Sequence, residues 1–382
     1  MMRVLILGAG LIGRAMAIDL AGDADLQVSV VDRNGRILQR LSQFPQIATR
    51  VADVTKDGIL KELLSQCDVC LNALPGFLGF DVLRQIISFK RPVVDISFAP
   101  EDPFTLNSLA RENGVTALVD CGVAPGLSNL LVGYAASQLG KVHKVRILVG
   151  GLPRERRLPW EYKAVFSPID VIEEYTRPVH LKENGQTVVR EALSEPELID
   201  FPHIGTLEAF NTDGLRTLLK TIDAEDMVEK TLRYPGHREK ILLLKQSGFF
   251  DEQSLQVKGS TLKPLDVTAQ VLIRQWELQE GEQDLTIMRV DVEGEEGGYR
   301  FEVFDTYDAE NKIHSMARTT GYTATIMTRA LLKGMIHKTG ILPLELLGSD
   351  SSLVSFLFQE LKKRKVHITR QVLGKNKDDQ KD

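Results

Sequence analysis

A chain of 382 residues, 43% hydrophobic and 26% charged, has room for two domains, each with its own core. Its net charge of −5 excludes the broad basic surface that nucleic acid demands, and the cluster Lys362, Lys363, Arg364, Lys365 follows a helical segment whose C-terminal dipole it complements. Three cysteines form no disulfide framework, and an N-terminal apolar run of five residues ending in Gly8 is too short for a signal peptide or a membrane span, so the expected setting is cytoplasmic, away from membranes and nucleic acid.

Short apolar strands alternate with helical stretches over the first 125 residues: RVLILGAG, a helix from Leu11, QVSVVDR, a helix from Gly35, ATRVADV, a helix over 58–65, VCLNAL, a helix over 80–88, PVVDIS, a helix over 103–112, and TALVDCG. That order predicts βαβ units and a doubly wound parallel sheet of the Rossmann type. Cys67 and Cys70 share a C-x-x-C spacing, but CDVCLNAL reads as a strand entering a core, with buried thiols.

The character changes at Lys141. KVRILVGGL reads as a strand, RPVHLKENGQTVVREAL as a hairpin with Asn-Gly at its turn, and DLTIMRVDVEGEEGGYRFEVFDTYD as a second hairpin with a glycine-rich turn. Helices are expected over 225–231 and 265–278, and TLEAFNTDGLRTL holds a polar turn at 211–214. GYTATIMTRALLKGMIHK predicts a long amphipathic helix returning to the first domain. The expected division is a dinucleotide-binding domain over 1–130 plus about 321–350, a mixed α+β substrate and dimerisation domain over 131–320, and a C-terminal helix with a frayed polar tail over 351–382.

Gly8-x-Gly10-x-x-Gly13 follows the first strand and opens the first helix, the pattern that combines a tight turn, close backbone approach to a pyrophosphate and close helix-to-strand packing; Leu11 and Ile12 lie within it. Asp32 follows at the end of the second strand, where a carboxylate accepts hydrogen bonds from ribose hydroxyls and repels a 2′-phosphate, so NAD is the expected cofactor. Arg33 beside it is the counterweight. Asp53 and Val54 end the third strand near the adenine. Asn72, Ala73, Leu74 and Pro75 end the fourth, and Asp95 and Asp120 end the next two, all expected in the crevice beyond the strands' carboxyl ends.

The fingerprint together with NALPG, VVDISF, DCGVAPGLSN, GGLP, FNTDG and KTLRYPGH resembles the saccharopine dehydrogenase family in order and spacing, up to about Lys338. The resemblance implies a nicotinamide cofactor, touched also by Gly122 and Ala124, and an amine or amino-acid substrate held by Asn211, Thr212, Asp213, Thr231 and Arg233. Phe98, Ala124, Val149 and Thr212 stand where glutamate-forming members carry Tyr, Asp, Cys and Arg. A missing arginine at Thr212 implies a substrate with fewer carboxylates. The activity implied is that of a lysine 6-dehydrogenase: NAD-dependent oxidation of the ε-amine of L-lysine to allysine semialdehyde and ammonia, in a homo-oligomer. Asp95 and Asp120 are the candidate bases, and Lys163 the candidate for orienting water or carboxylate. Glu161, Glu173 and Glu174 are weighed as partners of the α-ammonium against a solvated helix face. His180, His203 and His237 form no metal spacing, so no metal is expected. Two alternatives stay open: a saccharopine or carboxynorspermidine dehydrogenase, and a catalytically silent NAD(H)-binding regulator.

Overall fold

The computed structural model describes residues 1–165, 168–202, 204–279 and 281–374. Ser167 of the WEYKAVFSP stretch, His203 and the polar tail beyond Gly374 lie outside the described residues. Along the first part run β1 (Met2–Leu7), α1 (Leu11–Leu20), β2 (Leu26–Asp32), α2 (Gly35–Gln39), β3 (Ile47–Val51), α3 (Ile59–Ser65), β4 (Val69–Asn72), α4 (Gly76–Ser88), β5 (Val93–Asp95), α5 (Asn107–Glu112) and β6 (Thr116–Val119). With β17 (Gly340–Pro343) they form a parallel seven-stranded sheet of order β17-β6-β5-β4-β1-β2-β3. Burial on both faces explains the unbroken apolar runs such as Val4–Leu7. The strand order reverses at β1, between β4 and β2, and this switch point opens the crevice where such sheets bind ligands.

After α6 (Leu127–Leu139) the chain builds a mixed sheet from β7 (Val142–Pro153), α7 (Pro168–Thr176), β8 (Val179–Glu183), β9 (Gln186–Arg190), β10 (Glu197–Phe201), β11 (Gly205–Asn211), α8 (Leu218–Thr221), β12 (Ala224–Arg233), α9 (His237–Gln246), β13 (Leu255–Val257), β14 (Ser260–Leu262), α10 (Pro264–Trp276), β15 (Asp284–Gly294) and β16 (Gly297–Thr306). Its path is β10-β11-β12-β7-β15-β16-β18, with β18 (Ile368–Leu373) at one edge, the β8–β9 hairpin joined to β12, and β13–β14 a separate ribbon. The helix expected over 225–231 is instead the central strand β12, paired with β11 and β7. Its charged residues suit a helix locally, but pairing on both sides decides the conformation. The C-terminal segment, expected to be only helix and tail, follows α12 (Ser351–Lys363) with β18, which lies antiparallel to β16. Arg364 turns inward from the basic cluster to meet Asp19 at 2.6 Å and Glu360 at 2.7 Å.

α11 (Ser315–Leu332) joins the two halves. Every residue from Ser315 to Ala330 is buried, so the expected amphipathic stripe is instead a helix enclosed on all sides. Gly321 lets it approach α1, where an added Cβ would lie 3.1 Å from Met16 Cγ. Its buried polar groups find partners within the protein at several points: Thr319, Thr323 and Thr328 donate to the carbonyls of Ser315, Thr319 and Ala324, Arg329 pairs with Asp19 and Asp23, and Asp284 accepts from the first-turn amides of Ser315 and Met316.

Candidate active site

A cavity of about 1670 Å³ runs from the glycine turn to the mixed sheet. At the first end Gly8 has φ +97° and a Cβ on Gly13 would sit 2.0 Å from Gly8 O, so both positions require glycine. Gly10 differs, since nothing lies within 4 Å of its added Cβ; the room it leaves is for something outside the chain. Gly10 also opens α1 without a side-chain cap, leaving first-turn amides to face the cavity. Asp32 accepts from Ala9 N at 2.8 Å and Asn34 N at 2.7 Å, which fixes its carboxylate on the wall. These features fit a dinucleotide: the amides and Gly10 would hold the pyrophosphate, and Asp32 the ribose.

Leu11, Ile12, Arg33, Asp53, Val54, Ala73, Leu74, Pro75, Gly122 and Ala124 line the same cavity. Asn72 does not. It is fully buried and donates to Gly79 O at 3.1 Å, so it ties β4 to α4 from below. Arg14, Arg36, Arg40 and Lys312 line this end too, brought there by α1, α2 and the segment before α11. Only the fold assembles them.

At the other end Thr212, Asp213, Thr231 and Arg233 line the wall. Strand alternation carries Glu229, Thr231 and Arg233 of β12 to one face, and all three reach the cavity. Thr212 and Thr231 share a hydroxyl contact of 2.9 Å, and Asp213 Oδ1 accepts from the His180 amide at 2.9 Å with the His180 ring 3.1 Å away. Arg233 lies over the Tyr162 ring at 4.5 Å, donates to the Tyr175 hydroxyl and Leu232 O, and pairs with Glu174 at 3.1 Å. Burial pushes the Glu174 carboxyl up to about 7 against the pull of Arg233.

Glu229, absent from the sequence-based candidates, is 5% exposed, and its Oε2 has no hydrogen-bond partner among the described residues. Burial first, then Glu174 and Asp213, raise it to about 8, with Arg216 opposing. An added Cβ on Gly214 would meet its Oε1 at 1.8 Å, so the polar turn packs on this carboxyl. The available signal was period two in Glu-x-Thr-x-Arg, legible only once the segment is known to be a strand. Arg177, over the Phe98 ring at 5.0 Å, also lines the cavity.

Three further expectations are corrected. Asp95 lies beneath the floor: Ile96 and Ser97 line the cavity while Asp95 accepts from Ser97 N at 2.6 Å, its carboxyl raised to about 7 by burial. Lys163 opens on a neighbouring cleft, where it pairs with Glu282 at 3.1 Å and donates to Glu277 O. Asn211, at the end of β11, is fully buried and donates to Ser194 Oγ. Asp120 does line the cavity, but Arg216 holds it at 2.8 Å. Of the acids weighed for the α-ammonium, Glu161 pairs with Arg156 and Lys240 and Glu173 with Arg177, whereas Glu174 reaches the wall. His237 is buried, contacts Tyr175 and Trp160, and is lowered to about 3 by that burial. Cys67, Cys70 and Cys121 are buried free thiols. Among the described residues no group of side chains is arranged to hold a metal, and no helix is long and apolar enough to cross a membrane.

The glycine turn, the uncapped helix end and Asp32 together define a pyridine-dinucleotide-binding α/β protein whose crevice is roofed by a mixed-sheet domain. Residues 4–118 match the saccharopine dehydrogenase NADP binding domain and residues 122–366 the saccharopine dehydrogenase C-terminal domain. The chain belongs to the saccharopine dehydrogenase family. It is 25% identical over 269 residues to the saccharopine dehydrogenase (NADP+, L-glutamate-forming) of Pyricularia oryzae, 65% of this chain and 58% of that one. It is 26% identical over 272 residues to the Saccharomyces cerevisiae protein of the same name, 66% and 60% of the two chains. These matched parts are less than two thirds of either relative. The Schizosaccharomyces pombe counterpart aligns at 21% identity over 97% of this chain and 99% of its own. The apo structure of saccharopine dehydrogenase (L-Glu forming) from Saccharomyces cerevisiae superposes with a TM-score of 0.79 at 19% identity, covering 98% and 100% of the chains, a likeness of fold.

Proposed function

We propose that this chain is an oxidoreductase that oxidises the ε-amine of L-lysine with NAD, releasing ammonia and an aldehyde that cyclises onto the α-amine. The observation that carries the reading is the wall of the substrate end. Glu229 and Arg233 stand four residues apart on one face of β12, about 13 Å of strand, with Thr231 between them. An extended amino acid with a terminal amine presents a carboxylate to the guanidinium and an ammonium to the acid. Thr212 removes the guanidinium that a further carboxylate would use, and Asp170, Glu174 and Asp213 deepen the negative field. The nicotinamide of a dinucleotide held by the first-turn amides and Asp32 would supply the hydride acceptor; the chain's part is to orient the amine, exclude water until the imine forms, and hold the proton that the ammonium loses.

A second reading, oxidation of saccharopine, is favoured by Arg177, a second guanidinium on the same wall, and by the names of the relatives. Following reduced-nucleotide absorbance with lysine, saccharopine, ornithine, cadaverine and carboxynorspermidine separates them. Lysine turnover with free ammonia supports the first reading, saccharopine turnover with release of an amino acid supports the second, and stoichiometric nucleotide binding without turnover leaves a silent regulator. Self-association is part of the proposal: Leu255, Val257 and Leu262 of the β13–β14 ribbon and Val267 and Val271 of α10 are exposed apolar residues close in sequence, and light scattering reads the mass directly.

A further inference from the structure

We infer that Glu229 is the catalytic base that takes the proton from the substrate's reacting ammonium. The inference rests on the amine-oxidising reading above and names the group that reading lacks, since the two aspartates expected in the role are committed elsewhere: Asp95 lies beneath the floor and Asp120 is held by Arg216. On the substrate wall Glu174 is bound to Arg233 and Asp213 to His180. Glu229 is left with a buried carboxyl oxygen that has no hydrogen-bond partner among the described residues, on a strand face that opens into the cavity.

The groups around it set its behaviour. Asp213 comes from the turn, Asp170 and Glu174 from α7, Arg216 from beyond the turn, and Arg233 lies further along β12. The neighbouring acids and the burial hold the proton on Glu229 up to about pH 8, which places it well for exchange with an amine near neutrality. An arriving ammonium sets a positive charge beside the Glu229 carboxyl, and so draws it to its carboxylate. The N–H bond of the ammonium then breaks, its electron pair stays on nitrogen as the lone pair, and the proton forms an O–H bond on Glu229. With that lone pair available, the C–H bond gives its electron pair, as hydride, to the oxidised nucleotide while C=N forms. Gly214 keeps the carboxyl in place, because its Cα packs where any side chain would collide with Glu229.

The experiment is the pH profile of kcat/KM for wild type, Glu229→Gln and Glu229→Asp, on whichever amine of the panel wild type turns over best. Wild type is expected to lose activity below a limb near pH 8, under the lysine amine at about 10.4. Glu229→Gln should fall by about a hundredfold or more and lose that limb, and Glu229→Asp should restore part of the rate with a limb displaced from that of wild type. A Glu229→Gln enzyme within about tenfold of wild type, with the limb intact, overturns the assignment. If Glu229→Gln fails to fold, the Glu229→Asp profile decides: an unmoved limb overturns the assignment and a displaced one supports it. Turnover of saccharopine instead of lysine removes the substrate reading while the profile still judges Glu229, and absence of turnover on every amine overturns both.

Discussion

The carboxylate of Asp120 and the guanidinium of Arg216 meet at 2.8 Å across the junction of the two domains, and both residues hold left-handed backbone, φ 51° and 46°. Asp120 directly follows β6 and Arg216 follows the polar turn, so the pair pins that turn to the Rossmann crevice. Arg216 extends the clasp by donating to Ala99 O at 2.8 Å and lying over the Phe98 ring at 4.9 Å. Neither side chain is more than 10% exposed.

Removing one partner therefore strands a buried charge. Arg216→Ala is expected to destabilise the protein by roughly 3–5 kcal/mol in denaturant unfolding, and the Asp120→Ala, Arg216→Ala double variant by less than the two single losses together. Additive losses would show that the contact is geometric coincidence.

Cofactor choice depends on the first end of the cavity. Asp32 is fixed by Ala9 N and Asn34 N where a 2′-phosphate would fall, while Arg14, Arg33, Arg36 and Arg40 stand nearby. A charge-assisted contact supplies about 1.5 to 3 kcal/mol, so NAD is expected to exceed NADP by at least about tenfold in kcat/KM, and Asp32→Ser to narrow the ratio. Equal use of both nucleotides by wild type would mean that the arginines govern the site.

The glycine turn was legible because its pattern is local: Gly8 is required by its φ of +97°, Gly13 by its contact with Gly8 O, and Asp32 by its distance along a βαβ unit. The strand ends were legible as positions but not as side-chain directions. Asp95 ends β5 and Asp120 directly follows the neighbouring β6, yet one folds under the floor and the other turns toward the second domain. β12 was illegible for a different reason. EDMVEKTLR carries the charges of a helix surface, and what makes it a strand is the pairing with β7 and β11, segments far from it or beyond a turn in sequence. Misreading its period hid Glu229, which lines the same wall as Thr231 and Arg233. Lys163 failed through its neighbours, since Glu282, which draws it away, is more than a hundred residues later.

Glu229 also gives stability a pH dependence whose sign follows from burial. Its folded value of about 8 lies above the ordinary 4.5, so between those values the folded chain keeps a proton that the unfolded chain has lost. Stability attributable to this group therefore falls as pH rises through that window, and Glu174, raised to about 7, acts in the same direction. At about 1.4 kcal/mol per pK unit the effect is on the order of a few kcal/mol. Urea unfolding at about pH 5.5 and about pH 8.5 is expected to show a larger loss for wild type than for Glu229→Gln. Equal losses would mean that water or relaxation already solvates the carboxyl.

Arg233 carries the last prediction, on substrate recognition. Its guanidinium has five N–H donors, of which Tyr175, Leu232 O and Glu174 take one each, leaving two for a carboxylate in the cavity. Lysine should therefore be preferred over cadaverine, which lacks the carboxylate, by roughly tenfold to a few hundredfold in kcat/KM. Arg233→Ala is expected to collapse that preference by weakening lysine alone, because cadaverine never used the contact. The complication is Glu174, which the same change leaves buried without its cation; Arg233→Ala combined with Glu174→Gln removes that charge and isolates the carboxylate contact. If both substrates then suffer by the same factor and their ratio holds, Arg233 serves the packing of Tyr162 and Tyr175, and Arg177 becomes the guanidinium to test for the carboxylate.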